Sequence, residues 1–185
     1  SESEGTEALR AHWVTSILSM AGNLIPDITH VDGTLKGWPW VPNSFSWIEP
    51  TSFATVSLLR NGHTAHPRVV EAQKLIRDRV CVDGGWNYGN NKVLGSELLS
   101  YHHSTAWALL ALPRGDALVP KGLERLQMVL QRPSTLSLSL ATLAAAHHGV
   151  EPTPWADMLA DRQEEDGSFG GGRVDRTALA AIALR

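Results

Sequence analysis

Glu49, His103 and Asp175 are the side chains whose type and spacing suggest chemistry. Each stands two residues ahead of a threonine that opens the same apolar pattern. Two carboxylates and an imidazole at neighbouring helix starts could bind zinc or magnesium, or exchange protons with a ligand. The sequence therefore predicts a catalytic group formed by these three residues. The alternative is that each caps its own helix, because polar side chains are common and carboxylates are favourable at helix N-termini.

The shared pattern reads Thr, small, apolar, Ala, two free positions, small, Leu, and it begins at Thr51, Thr105 and Thr177. A fourth copy without the threonine and the final leucine occupies 138–145. Apolar residues lie nearly all round these segments, which predicts buried helices beginning near the threonines. Amphipathic segments with one apolar stripe alternate with them, at 67–80, 120–132 and 153–163.

This alternation predicts an all-α fold, an α/α toroid-like stack of about four helical hairpins, each with an inner and an outer helix. We expect a single domain over 1–185, with an N-terminal helix at 6–24 and repeat units at about 25–80, 81–132, 133–163 and 164–185. The sequence ends inside a helical pattern, with no glycine or proline stop signal. We therefore expect an incomplete barrel that belongs to a longer toroid or self-associates through its open edge.

Glycine-aromatic loops precede three of the buried segments, at 32–40, 83–86 and 166–170. Gln163 precedes the last of them, which then reads Asp-Gly-Ser-Phe-Gly. The chain resembles the terpenoid-cyclase and protein-prenyltransferase superfamily of α/α toroids, whose cyclases carry repeats of this kind. In that superfamily the loops clamp the helices. The resemblance implies an isoprenoid or other apolar ligand in a central cavity.

The resemblance also bears on metal binding and on the starting acid. Prenyltransferases hold zinc on Asp, Cys and His, and the run 101–105 is similar to their Tyr-His-Thr segment. Here this implies zinc on Cys81, Asp83 and His103, although the order of Cys and Asp is reversed. The alternative is that Cys81 is a buried structural cysteine. The cyclases' Asp-x-Asp-Asp acid is absent from the sequence.

Aromatic residues concentrate near the expected mouth of the cavity, where their faces would accommodate an isoprenoid chain or a carbocation. The predicted lining residues are Trp38, Trp40, Trp47, Tyr101, His102 and Arg176. Two other function classes remain open. One is a noncatalytic toroid that binds a peptide or a partner protein in its concave face. The other is a carbohydrate-active enzyme that uses Glu49 and Asp175 as a carboxylate pair.

The composition bears on three further classes of protein: nucleic-acid-binding, membrane-spanning and secreted proteins. The chain is 43% hydrophobic with a formal net charge of -3, so it lacks the net positive charge expected of a nucleic-acid-binding protein. It has no apolar run of the roughly 20 residues that a transmembrane helix needs. The acidic N-terminal sequence does not resemble a signal peptide, and one cysteine cannot form an intrachain disulfide. We therefore expect a cytoplasmic protein with no transmembrane segment and no nucleic-acid partner.

Overall fold

The computed structural model describes residues 31–185, and the expected helix at 6–24 lies outside them. The described residues form seven α-helices, a short 3-10 helix at Met128–Gln131 and one two-stranded hairpin. The α-helices are α1 (Ile48–Arg60), α2 (Pro67–Asp78), α3 (His102–Ala111), α4 (Val119–Gln127), α5 (Thr135–His148), α6 (Thr153–Ala160) and α7 (Val174–Ala183). The antiparallel hairpin joins β1 (Lys92–Val93) to β2 (Ser96–Glu97). The predicted all-α class is confirmed.

The helices pack in two rows. In the inner row α1 packs on α3, α3 on α5 and α5 on α7. In the outer row α2 packs on α1, α4 on α3 and α5, and α6 on α5. The described residues therefore contain three inner and outer pairs plus a seventh helix, rather than four complete hairpins. Closure of the rows into a toroid stays a prediction.

Local sequence explains where the helices begin. Proline stands in the first turn of all three outer helices, where a missing N–H costs nothing. The inner helices α1, α3 and α7 begin three residues before the threonines that were expected to open them. Glu49, His103 and Asp175 therefore lie inside the first helical turn. None of the described helices is both long and apolar enough to cross a membrane.

A threonine hydroxyl clamps each glycine-aromatic loop to its inner helix. The hydroxyl oxygen accepts a hydrogen bond from the backbone N–H of the loop's aromatic residue and donates to the carbonyl oxygen of the same residue. The pairs are Thr51 with Trp38 (2.8 and 3.4 Å), Thr105 with Trp86 (2.9 and 3.2 Å) and Thr177 with Phe169 (2.9 and 3.4 Å). The predicted repeat is thus built on one hydrogen-bonding unit.

The central loop is tightly packed against α2 and α3. The Trp86 side chain is fully buried, and its indole N–H donates to the carbonyl oxygen of Ile76 at the end of α2 (2.6 Å). A Cβ atom at Gly85 would lie 2.5 Å from the Ser100 hydroxyl oxygen and 2.6 Å from that of Thr105. Glycine is required there because the clamp leaves no room for a side chain.

Helix α5 is attached differently. It follows the 3-10 helix after a connection of three residues, and no glycine-aromatic loop precedes it. A capping box between Ser134 and Ser137 closes its N-terminus instead. Leu138, in the register position of the clamping threonines, is fully buried. The fourth copy thus has a buried leucine in place of the clamping threonine, and no loop for a threonine to hold.

The clamp can be tested by replacing Thr105 with valine, which has nearly the same shape but no hydroxyl. The buried N–H of Trp86 would lose its partner, so we expect the free energy of unfolding to fall by about 1–3 kcal/mol. Urea titrations of wild type and T105V measure this. T105S keeps the hydroxyl and should lose less. Equal stability of T105V and T105S would contradict the clamp.

The packing at Gly85 predicts a second effect. The added methyl of G85A collides with two hydroxyl groups, and we expect the overpacking to cost about 1–3 kcal/mol. Gly33 provides the matched control, because a Cβ there would meet no atom within 4 Å. Thermal unfolding of G85A and G33A should therefore separate the two variants. A midpoint for G85A equal to that of G33A would show that the loop adapts.

Candidate functional site

Two of the three predicted catalytic residues contact each other between the first two inner helices, and the contact is an ion pair whenever the imidazole is protonated. The imidazole Nε2 of His103 on α3 lies 3.2 Å from Glu49 Oε1 on α1. The hydroxyl of Ser104 donates to the same carboxylate oxygen at 3.1 Å. The Glu49 side chain is 15% exposed and that of His103 is 38% exposed. The carboxylate is therefore shielded, while the imidazole faces both it and the solvent.

The contacts keep Glu49 ionised. The hydrogen bond from His103 is the main cause that lowers the pKa of Glu49. Burial acts in the opposite direction, and the charge of His103 and the bond from Ser104 add to the lowering. At neutral pH the carboxylate thus accepts hydrogen bonds and holds no proton to donate.

A row of aromatic rings continues from the ion pair. The ring of Tyr101 lies nearly parallel to that of His103, with centroids 5.9 Å apart and an interplanar angle of 9°. Tyr88 contacts both, at 5.0 Å from Tyr101 and 6.0 Å from His103, and Trp47 lies 6.2 Å from Tyr88 in an edge arrangement. The rings of Tyr88 and Tyr101 thus limit the movement of the His103 imidazole on the side where they contact it.

A second aromatic group lies one helical turn along the same two helices. Phe53 follows Glu49 by four residues and Trp107 follows His103 by four, so each pair shares a helix face. The rings of Phe53 and Trp107 meet edge to face at 4.6 Å, and Trp40 packs on Phe53 at 5.9 Å. Phe53 is 37% exposed and Trp40 is 55% exposed. We call these three residues the aromatic wall.

Asp175 does not join Glu49 and His103. Its two carboxylate oxygens accept bonds of 3.0 Å from the Arg173 guanidinium, and Arg176 lies 3.5 Å away. The bond from Arg173 is the main cause that lowers the pKa of Asp175. Asp175 is on α7, and α3 and α5 stand between α7 and α1 in the inner row. Both ion partners of Asp175 thus lie at the start of its own helix. Arg176, which was predicted to line the cavity, is one of them.

The zinc set implied by the family resemblance does not assemble. No group of three His, Cys, Asp or Glu side chains within residues 31–185 is placed to hold a metal ion, so Cys81, Asp83 and His103 form no such group. Asp83 instead accepts bonds from the backbone and hydroxyl of Ser100 (3.1 and 2.9 Å) and from Arg125 (2.9 Å). Burial raises the pKa of the Cys81 thiol to about 11, so it is not a thiolate at neutral pH.

The other predicted lining residues divide between packing and cavity. The backbone of Trp38 is clamped by Thr51. The central carbon of the Arg68 guanidinium lies 4.5 Å from the centroid of the Trp38 ring, so the guanidinium covers one face of the ring. Tyr101 and His102 border an open cavity of about 290 Å³ between the starts of α3 and α5, together with His103. Trp47 contributes to the aromatic row and Trp40 to the aromatic wall.

Several residues of the site were missed from the sequence. Phe53 and Trp107 lie in the pattern that predicts buried helices, yet both are partly exposed. Their spacing of four residues from Glu49 and His103 was the available signal. The sequence gives no comparable signal for Ser104, Tyr88 and Arg125, because the residues they contact are distant in the sequence.

Comparisons of the chain with models of protein families, with curated proteins and with solved structures find no match. The resemblance to the cyclase and prenyltransferase superfamily therefore stays a prediction from the motifs. Function has to be argued from the geometry of the Glu49 ion pair and the aromatic wall.

The ion pair predicts a measurable titration. In H103A the carboxylate of Glu49 loses its main hydrogen bond and a nearby charge, so its pKa should rise toward the ordinary value for glutamate. Carbon-13 NMR of the glutamate carboxyl groups measures this directly. H63A, which removes an exposed loop histidine, is the control and should leave Glu49 unchanged.

The same pair has a consequence for stability. Because the pKa of Glu49 is lower in the folded chain than in the unfolded one, its carboxylate stabilises the fold above the unfolded pKa of about 4.3. This contribution is lost as the pH falls through the folded pKa. Wild type should thus lose stability on acidification more steeply than E49Q. Parallel pH profiles would contradict the ion pair.

Proposed function

We propose that this chain binds an isoprenoid or similar apolar ligand against the aromatic wall, and that Glu49 and His103 handle positive charge and a proton at that ligand, as in a prenyltransferase-like or cyclase-like protein. One observation carries the proposal. The ion pair and the Phe53–Trp107 contact lie one turn apart on the same faces of α1 and α3. A ligand on these faces would meet an apolar surface and an ionised carboxylate together.

The physical basis for ligand binding is the exposed apolar area of the wall. Fully burying an exposed phenylalanine side chain contributes about 1.5–3 kcal/mol. Phe53 is 37% exposed, so covering the rest of it contributes about 0.5–1 kcal/mol, or roughly two- to five-fold in affinity. The ring faces also attract cations, which favours a ligand that develops positive charge. Half-exposed rings on two packed helices supply both effects.

The state of Glu49 indicates the direction of proton transfer. A carboxylate with a lowered pKa is already deprotonated, so it suits the removal of a proton from a cation rather than the protonation of an alkene. This agrees with the absence of an Asp-x-Asp-Asp acid from the sequence. The hydroxyl of Ser104 and the imidazole of His103 fix the carboxylate, and the exposed imidazole connects it with solvent.

The two alternative functions make different demands. A carbohydrate-active enzyme needs Glu49 and Asp175 as partners across a sugar, but each is paired with other side chains. A noncatalytic peptide-binding surface would use the wall and would not need the ion pair. E49Q should separate the peptide alternative from the proposal. If the variant still binds the apolar ligand but no longer converts it, the result supports the proposal.

Binding is tested first with neutral ligands, farnesol and geranylgeraniol, using thermal shift and tryptophan fluorescence. We expect wild type to be stabilised. F53A should bind roughly two- to five-fold more weakly, because it removes one partly exposed ring of the wall. F45A removes a phenylalanine that is 70% exposed and lies outside the wall, and it is the control. Absence of binding to wild type, or equal affinities for F53A and F45A, would overturn the proposal.

A further inference from the structure

Two histidines join the C-terminal ends of α3 and α5, at the end of α3 opposite to its contact with Glu49. Nε2 of His148 lies 2.8 Å from the carbonyl oxygen of Leu109, and Nε2 of His147 lies 3.2 Å from that of Leu112. Both histidines are the last residues of α5, and both carbonyls stand at the end of α3. Carbonyls at the end of an α-helix lack their usual partner within the helix. The two imidazoles supply that partner from the neighbouring helix.

The connection between the two helix ends is reciprocal. Arg114, which follows α3, donates through Nε to the carbonyl oxygen of His147 in the last turn of α5. A side chain of a third helix completes the arrangement, because the amide of Gln73 on α2 donates to the carbonyl oxygen of Ala111 at 3.0 Å. We call the contacts of Arg114, His147 and His148 the C-terminal latch. It ties two adjacent inner helices together at their ends by side chains alone.

The latch requires one protonation state of His148. A carbonyl oxygen only accepts hydrogen bonds, so Nε2 carries the proton, and Nδ1 of the neutral ring is an acceptor. Nδ1 of His148 is buried and has no hydrogen-bond partner among residues 31–185. Protonation would place a positive charge and an N–H donor without an acceptor at this position, which is unfavourable. The neutral ring therefore fits the latch and the charged ring does not.

The charged groups around His148 also bear on its protonation. The pKa of His148 is lowered, chiefly by burial, and the charges of His147 and Arg114 add to the lowering. The bond to the carbonyl oxygen and the carboxylate of Asp116 act in the opposite direction. Asp116 is itself paired with Arg77 of α2 at 2.7 Å, so a further cation shares that carboxylate. Burial and the neighbouring cations thus outweigh the two groups that would favour the charged ring.

We propose that the C-terminal latch is an acid-sensitive switch, in which protonation of His148 releases the end of α5 from the end of α3. The charged imidazole gains hydration only by turning toward solvent, and it then leaves the carbonyl oxygen of Leu109 without its bond. Histidine is the side chain whose charge changes near neutral pH. The inference goes beyond the proposed function, because it uses neither Glu49 nor the aromatic wall.

The sign of the pH dependence follows from the lowered pKa of His148. Between the folded pKa and the unfolded value of about 6.5, the unfolded chain binds more protons than the folded chain. The contribution of the neutral ring to stability is therefore complete above about pH 6.5 and is lost as the pH falls toward the folded pKa. Acid should loosen the ends of α3 and α5 before it affects helices outside the latch.

The experiment follows the histidine rings of the full chain by NMR between about pH 8 and about pH 5, together with hydrogen exchange of the backbone amides. We expect the ring of His148 to titrate below the ordinary value for histidine. The amides of Leu112 and Val150, at the two helix ends, should lose protection over the same range once the intrinsic effect of pH on exchange is removed. Amides in the middle of α2 should keep theirs.

H148Q is the matched variant. The amide nitrogen of glutamine reaches the position of Nε2, so the variant keeps a donor for the carbonyl oxygen of Leu109 but cannot be protonated. We expect H148Q to show no acid-dependent loss of protection at Leu112 and Val150. H63Q, which removes an exposed loop histidine, is the control and should behave as wild type.

Two results would overturn the inference. One is a His148 ring that titrates at or above the ordinary value for histidine. The other is an equal loss of protection at the helix ends in wild type and H148Q. The ring titration uses wild type alone, so it decides the question even if H148Q does not fold. Binding of the neutral alcohols at the aromatic wall does not involve His148, so the two proposals fail independently.

Discussion

The bond between a threonine hydroxyl and the backbone of an aromatic residue is the constraint on which the rest of the structure depends. It occurs at α1, α3 and α7, always with the hydroxyl accepting the N–H of the aromatic and donating to its carbonyl oxygen. The backbone of each loop is thereby fixed to the first turn of its inner helix. In the first two units, that turn carries Glu49 and His103, so the clamp also sets the geometry of the ion pair.

The repeat register predicted the inner helices and the position of Glu49 beside His103, because one register places equivalent residues on adjacent helices at the same height. Register carries no information about competing partners. Asp175 occupies the same position but pairs with Arg173, two residues away. Asp83 pairs with Arg125, which is distant in sequence. These pairings engage Asp175 away from Glu49 and His103, and they engage Asp83 away from Cys81 and His103.

The exposure of the aromatic wall could not be predicted from the sequence for another reason. An apolar residue on a helix is buried only if a neighbouring element covers it. Which faces are covered depends on how many helices pack in the row, and the local sequence pattern does not give that number. Trp107 lies on a central inner helix and is still partly exposed, whereas Leu140, at its register position on α5, is fully buried. The helix pattern was predictable, but the covering of each face was not.

The ion pair joins two repeat units, with Glu49 contributed by one and His103 by the next. Neither unit contains the site alone, and two identical units would place either two carboxylates or two imidazoles together. Charge complementarity arises only once neighbouring copies carry different residues at one position. If the units descend from a duplicated hairpin, the duplication supplied the scaffold, and divergence at a single register position supplied the chemistry.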